Sequence, residues 1–76
     1  MKKVDIYTSE SCTYCHAAKD FMKQHNISYA EHNISKDPQA RKELMQKGYR
    51  SVPLIIVDGI DILGFDQTEL SEALGL

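Results

Sequence analysis

The sequence predicts an α/β domain in which a four-stranded mixed sheet carries helices on its faces, in the order β-α-β-α-β-β-α. Three observations predict it. Helical and strand periodicities alternate along the chain, and a strand, a crossover helix and a second strand favour a parallel, right-handed unit. Leu54-Ile55-Ile56-Val57 is an unbroken apolar run, which reads as a strand buried on both faces. Asp58-Gly59 follows it directly and is a two-residue hairpin signal, so the next strand returns antiparallel. At 76 residues the chain has room for one domain, 1–76, with one modest core.

Taken in order, Lys3 to Tyr7 alternates and carries β-branched and aromatic residues, as a first strand does. Thr8 to Ser11 is a polar loop. From Thr13 to about His25, Ala17, Ala18, Phe21, Met22 and His25 recur at helical spacing, with Lys19, Asp20 and Lys23 left for the wet side. Asn26 tolerates the left-handed conformation that stops a helix. The segment from Ile27 to Asn33 offers Ile27 and Tyr29 to a second strand. Asp37-Pro38 opens the next helix, with Asp as N-cap and Pro in the first turn, and Gly48 ends it after Ala40 and Leu44. Pro53 opens the third strand and Ile60 to Leu63 forms the fourth. Asp66 and Glu69 make a capping box for a last helix that Gly75 closes. Met22 and Met45 are expected to fill the core, and Tyr7 and Tyr29 to lie in it or at its margin.

Composition narrows the function. Hydrophobic residues make up 42% and charged residues 26%, as in soluble globular proteins. A net charge of −2 with scattered Lys and Arg offers no face to nucleic acid. No apolar run spans a bilayer, and Val4, Asp5 and Tyr7 follow Met1-Lys2-Lys3 too soon for a signal peptide. The chain is therefore expected to start near Met1 and to work in the cytoplasm as a monomer. Two cysteines are too few for a stapled secreted scaffold, and a close pair in such a chain points to catalysis or metal.

That pair is Cys12-Thr13-Tyr14-Cys15. At the mouth of a helix, the Cys12 sulfur lies near unpaired backbone N–H groups and the positive end of the helix dipole, which favour thiolate over thiol. Cys15 sits one turn further in with its side chain tilted back, within reach of a disulfide with Cys12. One sulfur attacks and the other resolves, as in thiol–disulfide exchange. Cys12 to His16 also spells the attachment signal of a c-type haem, but that chemistry needs export and a pocket, and the sequence suggests neither. Two cysteines and three scattered histidines form no recognisable zinc set, so no metal is expected. His16 reads as an ordinary residue of the first helix.

With these elements and a C-x-x-C at the first strand-to-helix junction, the chain resembles the smallest thioredoxin-like proteins, and glutaredoxins in particular. Cys12-Thr13-Tyr14-Cys15 matches their C-P-Y-C at three of four positions, Ser51-Val52-Pro53 matches their T-V-P, and Gly64-Phe65-Asp66 falls where they carry a G-G-x-D-like segment. The resemblance implies catalysis by Cys12 and Cys15, with glutathione as co-substrate and disulfide-bonded or glutathionylated proteins as partners. It implies a cis proline at Pro53 and a glutathione site framed by Tyr14, Ser51, Val52, Pro53, Gly64, Phe65 and Asp66. The Val52 backbone would pair with the extended peptide, and Asp66 would bind the α-amino group of its γ-glutamyl unit.

Three positions depart from the pattern. Thr13 replaces the motif proline, Leu63 replaces the first glycine of the pair, and Ser9 lies where many glutaredoxins carry lysine. Lys47 and Arg50 are the candidates to hold glutathione's second carboxylate in place of that lysine. Gly64-Phe65 is also similar to a segment of the redoxins that serve ribonucleotide reductase and draw electrons from thioredoxin reductase. A third reading, from Thr13, is a non-enzymatic carrier in which two protomers and two glutathiones share a [2Fe–2S] cluster.

Overall fold

The computed structural model describes residues 3–76. Strands β1 (Val4–Thr8), β2 (Ala30–Asn33), β3 (Leu54–Val57) and β4 (Ile60–Leu63) form one sheet in the order β2-β1-β3-β4. The β1–β2 pair is parallel, and β1–β3 and β3–β4 are antiparallel, so the expected mixed sheet is present. Helices α1 (Thr13–Gln24), α2 (Pro38–Gln46) and α3 (Gln67–Leu74) complete the expected order.

Side-chain alternation divides the core into two layers. Val4 and Ile6 of β1, Ile55 and Val57 of β3 and Ile62 of β4 pack with Ala18 and Met22 of α1 and Leu70 of α3. On the opposite face, Tyr7 and Leu54 pack with Ala40 and Leu44 of α2. The β3 run is covered on both sides, as its unbroken apolar sequence requires. Asp58 and Gly59 both take positive φ, 49° and 85°, as a two-residue hairpin with right-handed twist demands.

Helix ends follow the sequence closely. Asn26, Gly48 and Gly75 all adopt positive φ and close their helices with paired backbone bonds. At the end of α1, Asn26 N–H donates to Lys23 O and Ile27 N–H donates to Met22 O at 2.8 Å, the Schellman arrangement.

This closure corrects the second strand. Ile27 and Tyr29 lie outside β2, which begins only at Ala30. The Ile27 N–H is engaged in capping α1, and its half-buried side chain packs against the α1 layer beside Met22. The first strand runs one residue later than expected at each end, with Thr8 buried inside it. Met45 is 57% exposed rather than core, because Ala40 and Leu44 already face the sheet and the next position turns outward. Only the Asp66 half of the capping box forms: its Oδ1 accepts from Thr68 and Glu69 N–H, and among the described residues no return bond from the Glu69 carboxylate closes it.

Polar ties link β1 to its neighbours. The Tyr7 hydroxyl donates to Glu43 Oε2 of α2 at 3.1 Å, and the Tyr7 ring stacks on His32, whose Nε2 lies 3.1 Å from Asp5 Oδ1. Burial, the bond donated to Glu43, and the Glu43 and Asp5 charges push the Tyr7 phenol up to about 12. The fold thus favours the neutral phenol. This contribution is complete below the ordinary value of 10 and is lost as pH rises through about 12. Denaturant unfolding is expected to show stability falling across that alkaline window, and Tyr7→Phe is expected to flatten that fall. An equal fall in both proteins would assign it to other groups.

Candidate active site

Three segments leave the sheet at the same end. The register Tyr7↔Leu54↔Leu63 aligns the penultimate residue of β1 and the last of β4 with the first of β3. The Cys12 loop follows β1, Val52-Pro53 precedes β3, and Gly64-Phe65-Asp66 follows β4. Gly64 N–H donates to Pro53 O at 2.8 Å, which fastens the second segment to the third. Phe65 meets Phe21 of α1 edge to face, with ring centroids 5.9 Å apart, and this ties the third segment to the first. The parallel β1–β2 pair brings the start of α2 to this end too, so all three helices begin there.

Each helix N-terminus has unpaired N–H groups that need an acceptor. Asp37 Oδ1 serves α2 and Asp66 Oδ1 serves α3. At α1 the same position is filled by a cysteine: Cys12 is the N-cap, and its Sγ accepts the Cys15 N–H at 3.0 Å. Cys12 and Cys15 form a disulfide, with Cα atoms 5.2 Å apart. Their environments differ. Cys12 is partly exposed, whereas Cys15 is 0% exposed. A thiolate released at Cys12 faces the helix mouth and solvent, and the sulfur at Cys15 faces protein.

Most of the other predicted residues lie on the three segments that leave the sheet at this end. Tyr14 stands out at 68% exposure between the cysteines. Val52 is half-buried, Pro53 is buried, and the bond between them is cis. Ser51 is exposed; Gly64 (φ 83°) and Phe65 are half-buried. Asp66 caps α3 through Oδ1, and among the described residues no hydrogen bond engages its Oδ2. Lys47 and Arg50 are exposed, beyond the end of α2.

Two arrangements escaped the sequence. Glu10, adjacent in sequence to Ser9 and close to Cys12, turns toward Lys36, with Nζ–Oε1 at 3.4 Å, and its N–H donates to Ser35 Oγ. The loop ahead of Cys12 is thereby pinned to the β2–α2 turn. Behind it, Glu31 Oε2 accepts from both buried Thr8 and Lys19, each at 2.9 Å. The Lys19 ammonium, aided by the Thr8 hydroxyl, holds the Glu31 carboxyl below the usual carboxylate range in spite of burial. No local sequence pattern signals either group, because the partners lie 12 to 26 positions apart (Lys19 to Glu31, Glu10 to Lys36).

A C-x-x-C disulfide at a helix N-terminus on this sheet is the arrangement of a thiol–disulfide oxidoreductase of thioredoxin-like fold. The chain belongs to the glutaredoxin family, whose model matches residues 4–62. Over 76 residues it is 36% identical to glutaredoxin 3 of Escherichia coli (strain K12), covering 99% of this chain and 92% of that one. It is 29% identical over 69 residues to the glutaredoxin-like protein NrdH of Lactococcus lactis subsp. cremoris (strain MG1363), covering 91% and 96%. Among solved structures, the NrdH-redoxin of Escherichia coli, a glutaredoxin-like protein with a thioredoxin-like activity profile, superposes with a TM-score of 0.84 at 27% identity over 92% of each chain. Among the described residues no helix is long and apolar enough to cross a membrane.

Proposed function

We propose that this chain is a glutathione-dependent dithiol oxidoreductase, acting as a single monomeric domain in the cytoplasm on protein disulfides and glutathionylated proteins. The observation that carries the dithiol mechanism is the unequal placement of the two sulfurs, Cys12 capping α1 at the surface and Cys15 buried behind it. The Cys12 thiolate attacks a substrate disulfide, forms a mixed disulfide and releases one substrate thiolate. Cys15 then attacks Cys12 Sγ, releases the second substrate thiolate and closes the Cys12–Cys15 disulfide. One glutathione thiolate reopens it by attacking Cys12. A second attacks the glutathione sulfur, regenerating the Cys12 thiolate and leaving glutathione disulfide. Glutathionylated proteins need only Cys12: it takes the glutathione sulfur, the protein thiolate leaves, and a second glutathione completes the cycle.

Tyr14, Ser51, Val52, Pro53, Gly64, Phe65 and Asp66 form the glutathione site in this reading. The Asp66 carboxylate takes the α-amino group, and Lys47 or Arg50 takes the second carboxylate. Ser9 and the likeness to NrdH favour a second reading, in which the same dithiol draws its electrons from thioredoxin reductase. The source of electrons separates the two. With NADPH, glutathione and glutathione reductase, the protein is expected to turn over a glutathione mixed disulfide, while thioredoxin reductase alone supports little. Turnover with thioredoxin reductase alone would replace the first reading by the second. In the glutathione assay, Ser9→Lys is expected to lower KM severalfold, and the gain should shrink as salt screens the added charge.

A further inference from the structure

Lys and Arg, read above as scattered, are concentrated in one stretch of the chain. Residues 36–50 hold five of the nine Lys and Arg residues against two acids, whereas residues 51–76 hold five acids and no Lys or Arg. The fold places the acidic stretch along β4 and α3. β4 is an edge of the sheet. In a two-residue hairpin closed at Val57↔Ile60, the N–H and C=O groups of Ile60 and Ile62 face β3, and those of Asp61 and Leu63 face outward. The inward bond of Gly64 to Pro53 fits that alternation.

Between this free edge and α3 runs a groove of about 390 Å³, lined by Ile60, Asp61, Ile62, Glu69, Glu72 and Ala73. Two of its features act against stability. Ile60 and Leu63 are 56% and 51% exposed on an edge that pairs with no further strand among the described residues, where apolar side chains invite association. Glu72 lies near the C-terminus of α3, where the helix dipole disfavours an acid, and no base occupies that last turn.

We infer that the β4 edge and the adjoining groove dock an extended, positively charged segment of a protein substrate, laid beside β4 as an added strand. The outward backbone groups of Asp61 and Leu63 pair with the segment's main chain. Alternate side chains rest on Ile60 and Ile62, while its lysines or arginines reach Glu69 and Glu72. Asp61 is already held, its Oδ2 accepting the Tyr49 hydroxyl at 3.1 Å, and it adds charge without having to move. A strand on β4 runs toward Leu63 and Gly64, the end at which Cys12 stands, so docking brings a substrate sulfur toward the site. The basic α2 region of a second copy is the rival occupant. Its helical backbone is internally bonded and cannot fill the open hydrogen bonds of a strand edge. The inference holds with either electron donor.

The test is an NMR titration of the reduced, ¹⁵N-labelled protein with two peptides of about eight residues, one alternating lysine and valine, the other glutamate and valine. The lysine peptide is expected to shift the amides of Asp61, Leu63 and Glu69 to Ala73, and the glutamate peptide to leave them in place. Glu72→Lys should weaken the lysine peptide at least about threefold, yet keep or raise the thermal midpoint and leave reduction of a small uncharged disulfide unchanged. Four results would overturn the inference: no shift at these amides, shifts centred on Arg41 and Lys42, equal binding of both peptides, or an affinity indifferent to Glu72→Lys. Sedimentation gives a fifth: self-association abolished by Glu72→Lys would assign the face to a second copy.

Discussion

Cys12→Ser is expected to reduce exchange to background, a loss of roughly three orders of magnitude or more, as removal of an enzyme's nucleophile generally does. Cys15→Ser is expected to keep reduction of glutathione mixed disulfides while losing most activity on protein disulfides. The reason is positional. The Cys12 sulfur holds the cap of α1, accepts the Cys15 N–H and reaches solvent, so a thiolate there is both stabilised and accessible. Cys15 is fully buried, and its sulfur has one accessible target, the Cys12 sulfur of a mixed disulfide. Initial rates with a glutathionylated peptide and with a protein disulfide measure the two activities separately. A live Cys12→Ser with a dead Cys15→Ser would reverse the roles.

Leu70→Ala is expected to have the largest effect on stability among changes made outside the site residues themselves. Leu70 is 0% exposed and is the buried residue of α3, set against Val4, Ile6, Ile55, Val57 and Ile62 of the sheet and Ala18 and Met22 of α1. Truncating such a leucine costs about 2–5 kcal/mol. A domain of this length holds roughly 4–11 kcal/mol in all, so the loss is a large fraction of the total. The loss also reaches the site, because α3 carries Asp66 at its cap and Phe65 just ahead of it. Urea unfolding should show a large drop in midpoint, and glutathione KM should rise under conditions where the protein is still folded. A cost below about 1 kcal/mol would mean that α3 repacks without its anchor.

What was legible in the sequence was local. Asp58-Gly59, Asp37-Pro38, Asp66, Gly48, Gly75 and Asn26 are residues whose own backbone chemistry sets a turn, a cap or a stop, and each does so in the structure. The apolar run at Leu54 to Val57 needed no partner to be recognised. What failed depended on neighbours distant in sequence or on competing bonds. Ile27 looks like a strand residue until its N–H is claimed by the end of α1, and Met45 looks like core until Ala40 and Leu44 take the sheet-facing side. The cysteines could be placed at a helix mouth from their spacing alone. The pinning of their loop by Ser35 and Lys36, and the Thr8–Glu31–Lys19 group behind it, required the fold.

Competitive alkylation tests the central claim most directly. The reduced wild-type protein at neutral pH, treated with less than one equivalent of iodoacetamide and mapped by mass spectrometry, should carry the label on Cys12, with Cys15 modified at least about tenfold more slowly. Label appearing first on Cys15, or equally on both sulfurs, would contradict the assignment of Cys12 as the attacking thiolate.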